Sequence, residues 1–273
     1  MEKTDPIDTQ KPPQLMGVLN VTPDSFSDGG RYLDKDDALK RIETLITDGA
    51  DIIDIGAEST RPGSKPISVD EEIARLRPIL SIYKRYFDTP ISLDTQKAEV
   101  AEYGLTEGVG IVNDISAFSD PKMLTVLSKY QPSVCIMHMQ GTPQTMQKNP
   151  DYTDIMSEIM IFFKEKIALA NEKGLETLIL DPGIGFGKTV AHNLTILRKL
   201  SHFTSLNYPL LIGTSNKSFI GQLTQVEDPK DRLEGTLASN SVAILNGASI
   251  LRVHDVKAMK RFLSVFQSCT PPI

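Results

Sequence analysis

Eight short apolar runs recur along the chain, each followed by a stretch with helical spacing, and this alternation limits the possible folds to very few. The runs are Leu15–Leu19, Asp51–Ile55, Pro90–Leu93, Gly110–Val112, Ser133–Met137, Thr177–Leu180, Pro209–Ile212 and Ser249–Val253. They are continuous rather than alternating, as expected for parallel strands covered on both faces. Helix signals fill the gaps. Asp36 precedes Ile42, Leu45 and Ile46, with Gly49 beyond. Ser68-Val69-Asp70-Glu71 fits a capping box, and Pro78 is expected to kink the helix that follows. A long helix runs from about Asp154 to Asn171, near Gly174. Asp228-Pro229 has the N-cap and first-turn signature of another, and Asp255 can cap the last, through Met259, Phe262 and Val265. Eight strands and about eight helices over 273 residues predict a single (β/α)8 TIM barrel of the α/β class. Residues 14–267 form it, with tails at 1–13 and 268–273. The competing fold is an open doubly wound sheet, but no strand here is followed by its G-x-G-x-x-G signature.

Composition narrows the partners. A net charge of −6 argues against nucleic acid, yet a local cluster of cations can still hold an anionic substrate. No apolar run approaches the roughly 20 residues that span a bilayer, and the polar, Pro-containing N-terminus has no signal-peptide pattern, so no membrane partner is expected. The two cysteines, Cys135 and Cys269, read as a packed thiol and an incidental one, which suits a reducing, cytoplasmic compartment.

In a barrel of this kind the active site lies at the C-terminal ends of the strands. The polar residues there are Asn20, then Asp54, Glu58, Ser59, Thr60 and Arg61, then Asp94, Asn113, Asp114, His138, Asp181, Ser215, Lys217, Arg252 and His254. One strand-end Asp is commonly a helix cap. A polar group on every strand is too many for capping, because buried polar groups need partners or a ligand.

The set divides by chemistry. Asp94, Asn113, Asp181 and Lys217 form one ring, suited to a flat heterocycle with paired N–H donors that a carboxylate can accept. Arg61, Arg252 and His254 form a second group, suited to an anion such as a diphosphate. Asn20 offers a carbonyl oxygen to Mg²⁺. The loop Thr22–Gly30 carries Phe26 and the mobile carboxylate of Asp28 beside Gly29-Gly30. Gln140–Thr153 is the longest loop and therefore a functional candidate. The glycines of Asp181–Lys188 lack P-loop spacing and are expected to let the backbone pack closely and place Phe186 over the pocket.

These motifs resemble the dihydropteroate synthase family from about Leu15 to Phe266. The matching segments are 17–30, 54–63, 93–95, 113–115, His138-Met139-Gln140-Gly141, 181–188 and 252–255. The resemblance implies condensation of p-aminobenzoate with 6-hydroxymethyl-7,8-dihydropterin diphosphate, releasing 7,8-dihydropteroate and pyrophosphate. It implies that Asp94, Asn113, Asp181 and Lys217 bind the pterin, with Arg252 stacking on it and Met139 among the binding residues. Asn20 would hold Mg²⁺, while Arg61 and His254 grip the diphosphate. Phe26, Thr60, Pro62, Phe186 and Ser218 would shape the p-aminobenzoate pocket, and Asp28 would help the amine proton leave. A homodimer joined through the late helices is implied as well. The chain departs from the family pattern at Asn216, where Ser-Arg-Lys is common and Ser215-Asn216-Lys217 stands here. Three other readings share some of these residues: a pterin-dependent methyltransferase on the same barrel, a Schiff-base aldolase using Lys217, and a catalytically silent pterin-binding module.

Overall fold

The computed structural model describes Ile7, residues 13–22, residues 35–60 and residues 63–270. Eight parallel strands, β1 (Gln14–Asn20), β2 (Ile52–Gly56), β3 (Ile91–Asp94), β4 (Ile111–Asp114), β5 (Ser133–Met137), β6 (Leu178–Asp181), β7 (Leu211–Ile212) and β8 (Ile250–Val253), lie in the order β6-β5-β4-β3-β2-β1-β8-β7. A parallel bridge between Leu180 and Leu210 joins the two outer strands and closes the barrel. Pro209, with no N–H of its own, takes part through its carbonyl, which accepts from Leu180 N at 2.9 Å.

Nine α-helices are described: α1 (Lys35–Thr47), α2 (Val69–Tyr86), α3 (Ala98–Thr106), α4 (Met123–Tyr130), α5 (Ile155–Glu172), α6 (Val190–Arg198), α7 (Ser218–Thr224), α8 (Leu233–Leu245) and α9 (Val256–Cys269). The count exceeds the expected eight because β7 is followed by two helices. Asp228-Pro229 starts only a 3-10 turn, Pro229–Asp231, ahead of α8. Ser68 and Asp255 cap as expected and Asp154 caps α5, accepting from the backbone N–H of Glu71, Ala258 and Met156, whereas Asp36, expected to cap α1, lies within its first turn. Pro78 sits inside α2, which runs unbroken from Val69 to Tyr86.

Strand residues alternate between the two faces of the wall. Leu15, Leu19, Ile53, Ile55, Leu93, Val112, Val134, Ile136, Leu180, Ile212, Leu251 and Val253 belong to the core between strands and helices. Met16, Ile52, Ile111, Cys135, Ile179, Leu211 and Ile250 form a separate apolar cluster inside the barrel. Ile7 joins that cluster and is buried, so this one residue of the expected N-terminal tail is packed into the fold. At the other end α9 extends to Cys269, past the expected limit at 267. Both cysteines are free thiols, Cys135 buried and Cys269 exposed.

The period of two then places the polar residues. Asp54, Asn113, Asp181 and Arg252 each stand two residues beyond an inward apolar residue: Ile52, Ile111, Ile179 and Ile250. They therefore point inward one layer higher. The barrel interior is apolar through its middle and polar at the C-terminal mouth.

Candidate active site

A buried network of charge forms the base of the mouth. Arg252 donates from Nε to Asp54 Oδ2 at 2.7 Å and from Nη2 to Asp94 Oδ2 at 2.9 Å. Asp54 also accepts from Ser92 Oγ at 2.6 Å, and Asn113 Nδ2 lies 3.5 Å from both of its carboxylate oxygens. Asp94 Oδ1 is buried and has no hydrogen-bond partner among the described residues. Such an orphan acceptor is costly unless a ligand supplies a donor. Burial, assisted by the charges of Asp54 and Glu72 and opposed by Arg252 and Lys217, pushes the Asp94 carboxyl up to about 7.

Asp181 lies across the mouth. Its Oδ1 accepts from Gly183 N at 2.7 Å, and burial raises its pKa. Lys217, half-buried, stands at the start of α7 with Nζ 4.1 Å from the centre of the Phe186 ring. Burial, then the Arg252 charge, push it down to about 8. It forms no hydrogen bond to Asp94, Asn113 or Asp181 among the described residues, so the expected ring is joined here through charge and the aromatic face.

Phe186 is presented by the loop after β6. Gly183, Gly185 and Gly187 all take positive φ, 69°, 82° and 62°. A Cβ on Gly183 would sit 2.0 Å from His138 O, and one on Gly187 2.6 Å from Gln140 O, so close backbone approach requires glycine at both. The long loop after β5 packs on this one. Gln147 Nε2 donates to Gly185 O at 2.7 Å, and Tyr152 OH to Gly187 O at 2.8 Å. Met139 is half-buried at the start of that long loop.

The rim holds the remaining candidates. His254 reaches Ser215 Oγ through its backbone N at 3.2 Å and through Nδ1 at 3.0 Å. Asn20, half-buried, ends β1 opposite Gly56. Its amide has no hydrogen-bonding partner among the described residues, and no cluster of three or more His, Cys, Asp or Glu able to hold a metal occurs among them. One neutral oxygen without an all-protein cage fits Mg²⁺, which keeps several waters and binds through substrate phosphates. Thr60 is half-buried at the end of a described stretch, and Ser218 is the exposed first residue of α7. Glu58 braces the loop beyond Thr60 by accepting from Ile67 N at 2.8 Å and pairing with Lys97 at 3.0 Å. Phe26, Asp28, Arg61 and Pro62 lie outside the described residues.

The chain that builds this mouth matches a known family. The model for pterin binding enzymes aligns with residues 16–254. The chain belongs to the pterin binding enzyme family. Within that family it is 46% identical over 258 residues to the dihydropteroate synthase of Escherichia coli K12, covering 94% of this chain and 91% of that one. Among solved structures, the Yersinia pestis dihydropteroate synthase in a sulfonamide drug complex superposes with TM-score 0.91 at 42% identity, covering 96% and 95% of the two chains. The Clostridium difficile dihydropteroate synthase, in the presence of pteroic acid, gives 0.89 at 44%, covering 96% and 98%.

For this pterin-binding chain the geometry gives one expected residue two buried partners and adds one residue. Arg252 was expected beside Arg61 and His254 as an anion grip. Two of its five donors hold Asp54 and Asp94, because it follows inward-facing Ile250 by two positions. Asp54 was read only as a strand-end polar group, yet it is the hub that holds Arg252. The register two beyond Ile52 was the signal that would have placed it inside.

Proposed function

We propose that the chain is a dihydropteroate synthase, condensing 6-hydroxymethyl-7,8-dihydropterin diphosphate with p-aminobenzoate to give 7,8-dihydropteroate and pyrophosphate. The observation that carries this is the unpartnered Asp94 Oδ1, buried beside Asn113 and across from Asp181 in a barrel of the pterin-binding family. A dihydropterin edge presents parallel N–H donors, and an ionised carboxylate accepts them in a pair.

The chemistry is a transfer of the pterin methylene from oxygen to nitrogen. The C–O bond to the diphosphate breaks, positive charge grows on the carbon, and the electron-rich ring spreads it. Asp94 and Asp181 favour that cationic ring, and the interaction strengthens as the bond breaks. Arg252 keeps Asp94 oriented and Lys217 carries positive charge beside the ring. His254 and Arg61 are assigned to the departing anion. The arylamine nitrogen then forms the new C–N bond and sheds a proton, with Asp28 as its acceptor. Mg²⁺, held through Asn20, would neutralise charge on the diphosphate. Phe186 and Thr60 wall the arylamine slot, to which Phe26 and Pro62 are also assigned, and Ser218 meets the carboxylate at the start of α7.

Two further assignments belong to this reading. The exposed apolar residues Leu223, Val242, Leu245 and Val265 lie on α7, α8 and α9, which supports a homodimer through the late helices. Two free thiols support a reducing, cytoplasmic setting. The test of the main reading is formation of 7,8-dihydropteroate from both substrates, inhibited by a sulfonamide and restored by added p-aminobenzoate. Failure to form the product, or inhibition that p-aminobenzoate does not relieve, counts against it.

A further inference from the structure

Lys188 is a buried amine at the end of the loop after β6. It is 3% exposed and forms no ion pair among the described residues. Its Nζ lies 3.1 Å from His138 O, 2.9 Å from Phe186 O and 3.1 Å from His138 Nδ1. The two carbonyls accept from this amine and the ring nitrogen lies within hydrogen-bonding distance of it, while burial lowers the amine to about 7. Burial and the Lys188 charge hold the His138 ring neutral, its pKa lowered to about 3. Burying an amine in this way is unfavourable, and an apolar side chain would fill the same space more cheaply. The arrangement must therefore contribute something besides packing.

What it contributes is visible in the loop. Three consecutive carbonyls each accept from a side chain: Gly185 O from Gln147, Phe186 O from Lys188 and Gly187 O from Tyr152. Gly185 and Gly187 flank Phe186 with positive φ, so the segment has no strand or helix ladder to orient it. Gln147 and Tyr152 come from the long loop after β5. Among the described residues, Lys188 ties the Phe186 peptide to His138, the residue that follows strand β5. The Phe186 ring in turn carries Lys217 Nζ at 4.1 Å.

We propose that Lys188 is a positioning residue: by locking the Phe186 peptide to His138 it sets the Phe186 ring, and through that ring the ammonium of Lys217, at the mouth of the barrel. That this ring walls the arylamine slot rests on the function proposed above, so the test has one arm that needs no turnover.

Lys188→Met and Lys188→Gln are each made alone and combined with Phe186→Ala. The first readout is the proton shift of the Lys217 ε-methylene in the free protein, which the Phe186 ring current moves upfield and which Phe186→Ala identifies. The expected result is loss of at least half of that upfield shift in the folded Lys188 variants. The second readout is steady-state kinetics. The KM for p-aminobenzoate rises roughly tenfold, with kcat within about twofold, and the double variants are no worse than Phe186→Ala alone. An unchanged Lys217 shift in a folded variant overturns the proposal, as does a KM effect that persists in full beside Phe186→Ala. If neither Lys188 variant folds, Lys188 serves stability alone and the proposal also falls. A wild-type protein that shows the ring-current shift and its loss, yet makes no dihydropteroate, would retain the positioning role and reject the assigned reaction.

Discussion

Arg252 Nε and Asp54 Oδ2 stand 2.7 Å apart, joining strand β8 to strand β2 across the barrel interior. The same guanidinium reaches Asp94 on β3, so it fixes the carboxylate whose other oxygen is unpartnered. Asp54 is thus a positioning residue for Asp94, acting through Arg252. Asp54→Asn keeps the shape and removes the charge. It is expected to lower stability by about 2–3 kcal/mol, the value of a lost hydrogen bond to a charged group. Pterin affinity falls as well. Urea unfolding and pterin calorimetry check both, and full pterin affinity in the folded variant would detach Asp54 from the site.

The acid–base state of the mouth gives a pH signature. Burial raises Asp94 from the ordinary 3.8 to about 7. Between those values the folded chain holds a proton that the unfolded chain has released. Asp94 therefore stabilises the fold least above about 7, and stability rises as the pH falls through that window. Pterin binding runs the other way, because the ionised carboxylate is the acceptor. Lys217, lowered to about 8, loses its charge above that value. The dependence of kcat/KM on pH should be a bell with limbs near 7 and 8, the apparent values belonging to the coupled group. Asp94→Asn should remove the acidic limb and flatten the stability slope between the two Asp94 values. An acidic limb that survives the substitution assigns it to another residue.

Much of this was legible in the sequence because strands end where apolar runs end. Asp94, Asn113 and Asp181 close their strands, and the barrel puts every such end at one mouth. The partners of Arg252 were not legible, because they lie on strands about 160 and 200 residues earlier, a contact set by barrel closure. Lys188 was hidden for a similar reason. It reads as the polar end of a glycine loop, and only the packing of that loop on His138 turns it inward. The second helix after β7 was missed because Asp228-Pro229 signals one start, while Lys217 precedes α7 with no side-chain cap.

Asn216 tests the departure from the family pattern. It sits at φ 60°, with its N–H on Thr236 Oγ1 at 3.1 Å and its carbonyl accepting from Arg232 Nη1 at 3.0 Å. Asn tolerates this left-handed backbone better than most residues. Asn216→Ala is expected to cost about 1 kcal/mol of stability, and Asn216→Gly close to nothing. Thermal unfolding of the two variants decides it, since equal losses would mean that the backbone conformation is not what selects Asn.

Asn20 carries the metal expectation. Activity should require Mg²⁺, and Asn20→Ala should raise the concentration needed for half-maximal rate, roughly tenfold for the loss of one good oxygen ligand. A magnesium titration of both proteins measures it. Full activity of the wild type in excess chelator would contradict the assignment.

The most direct measurement of the whole account is release of pyrophosphate from the dihydropterin diphosphate, followed with and without p-aminobenzoate. The synthase reading predicts release that depends on p-aminobenzoate, matched one for one by 7,8-dihydropteroate, and greatly reduced in Asp181→Asn. Methyl transfer, aldol chemistry through Lys217 or simple pterin binding would give no such release. Pterin binding without p-aminobenzoate-dependent pyrophosphate would contradict the account.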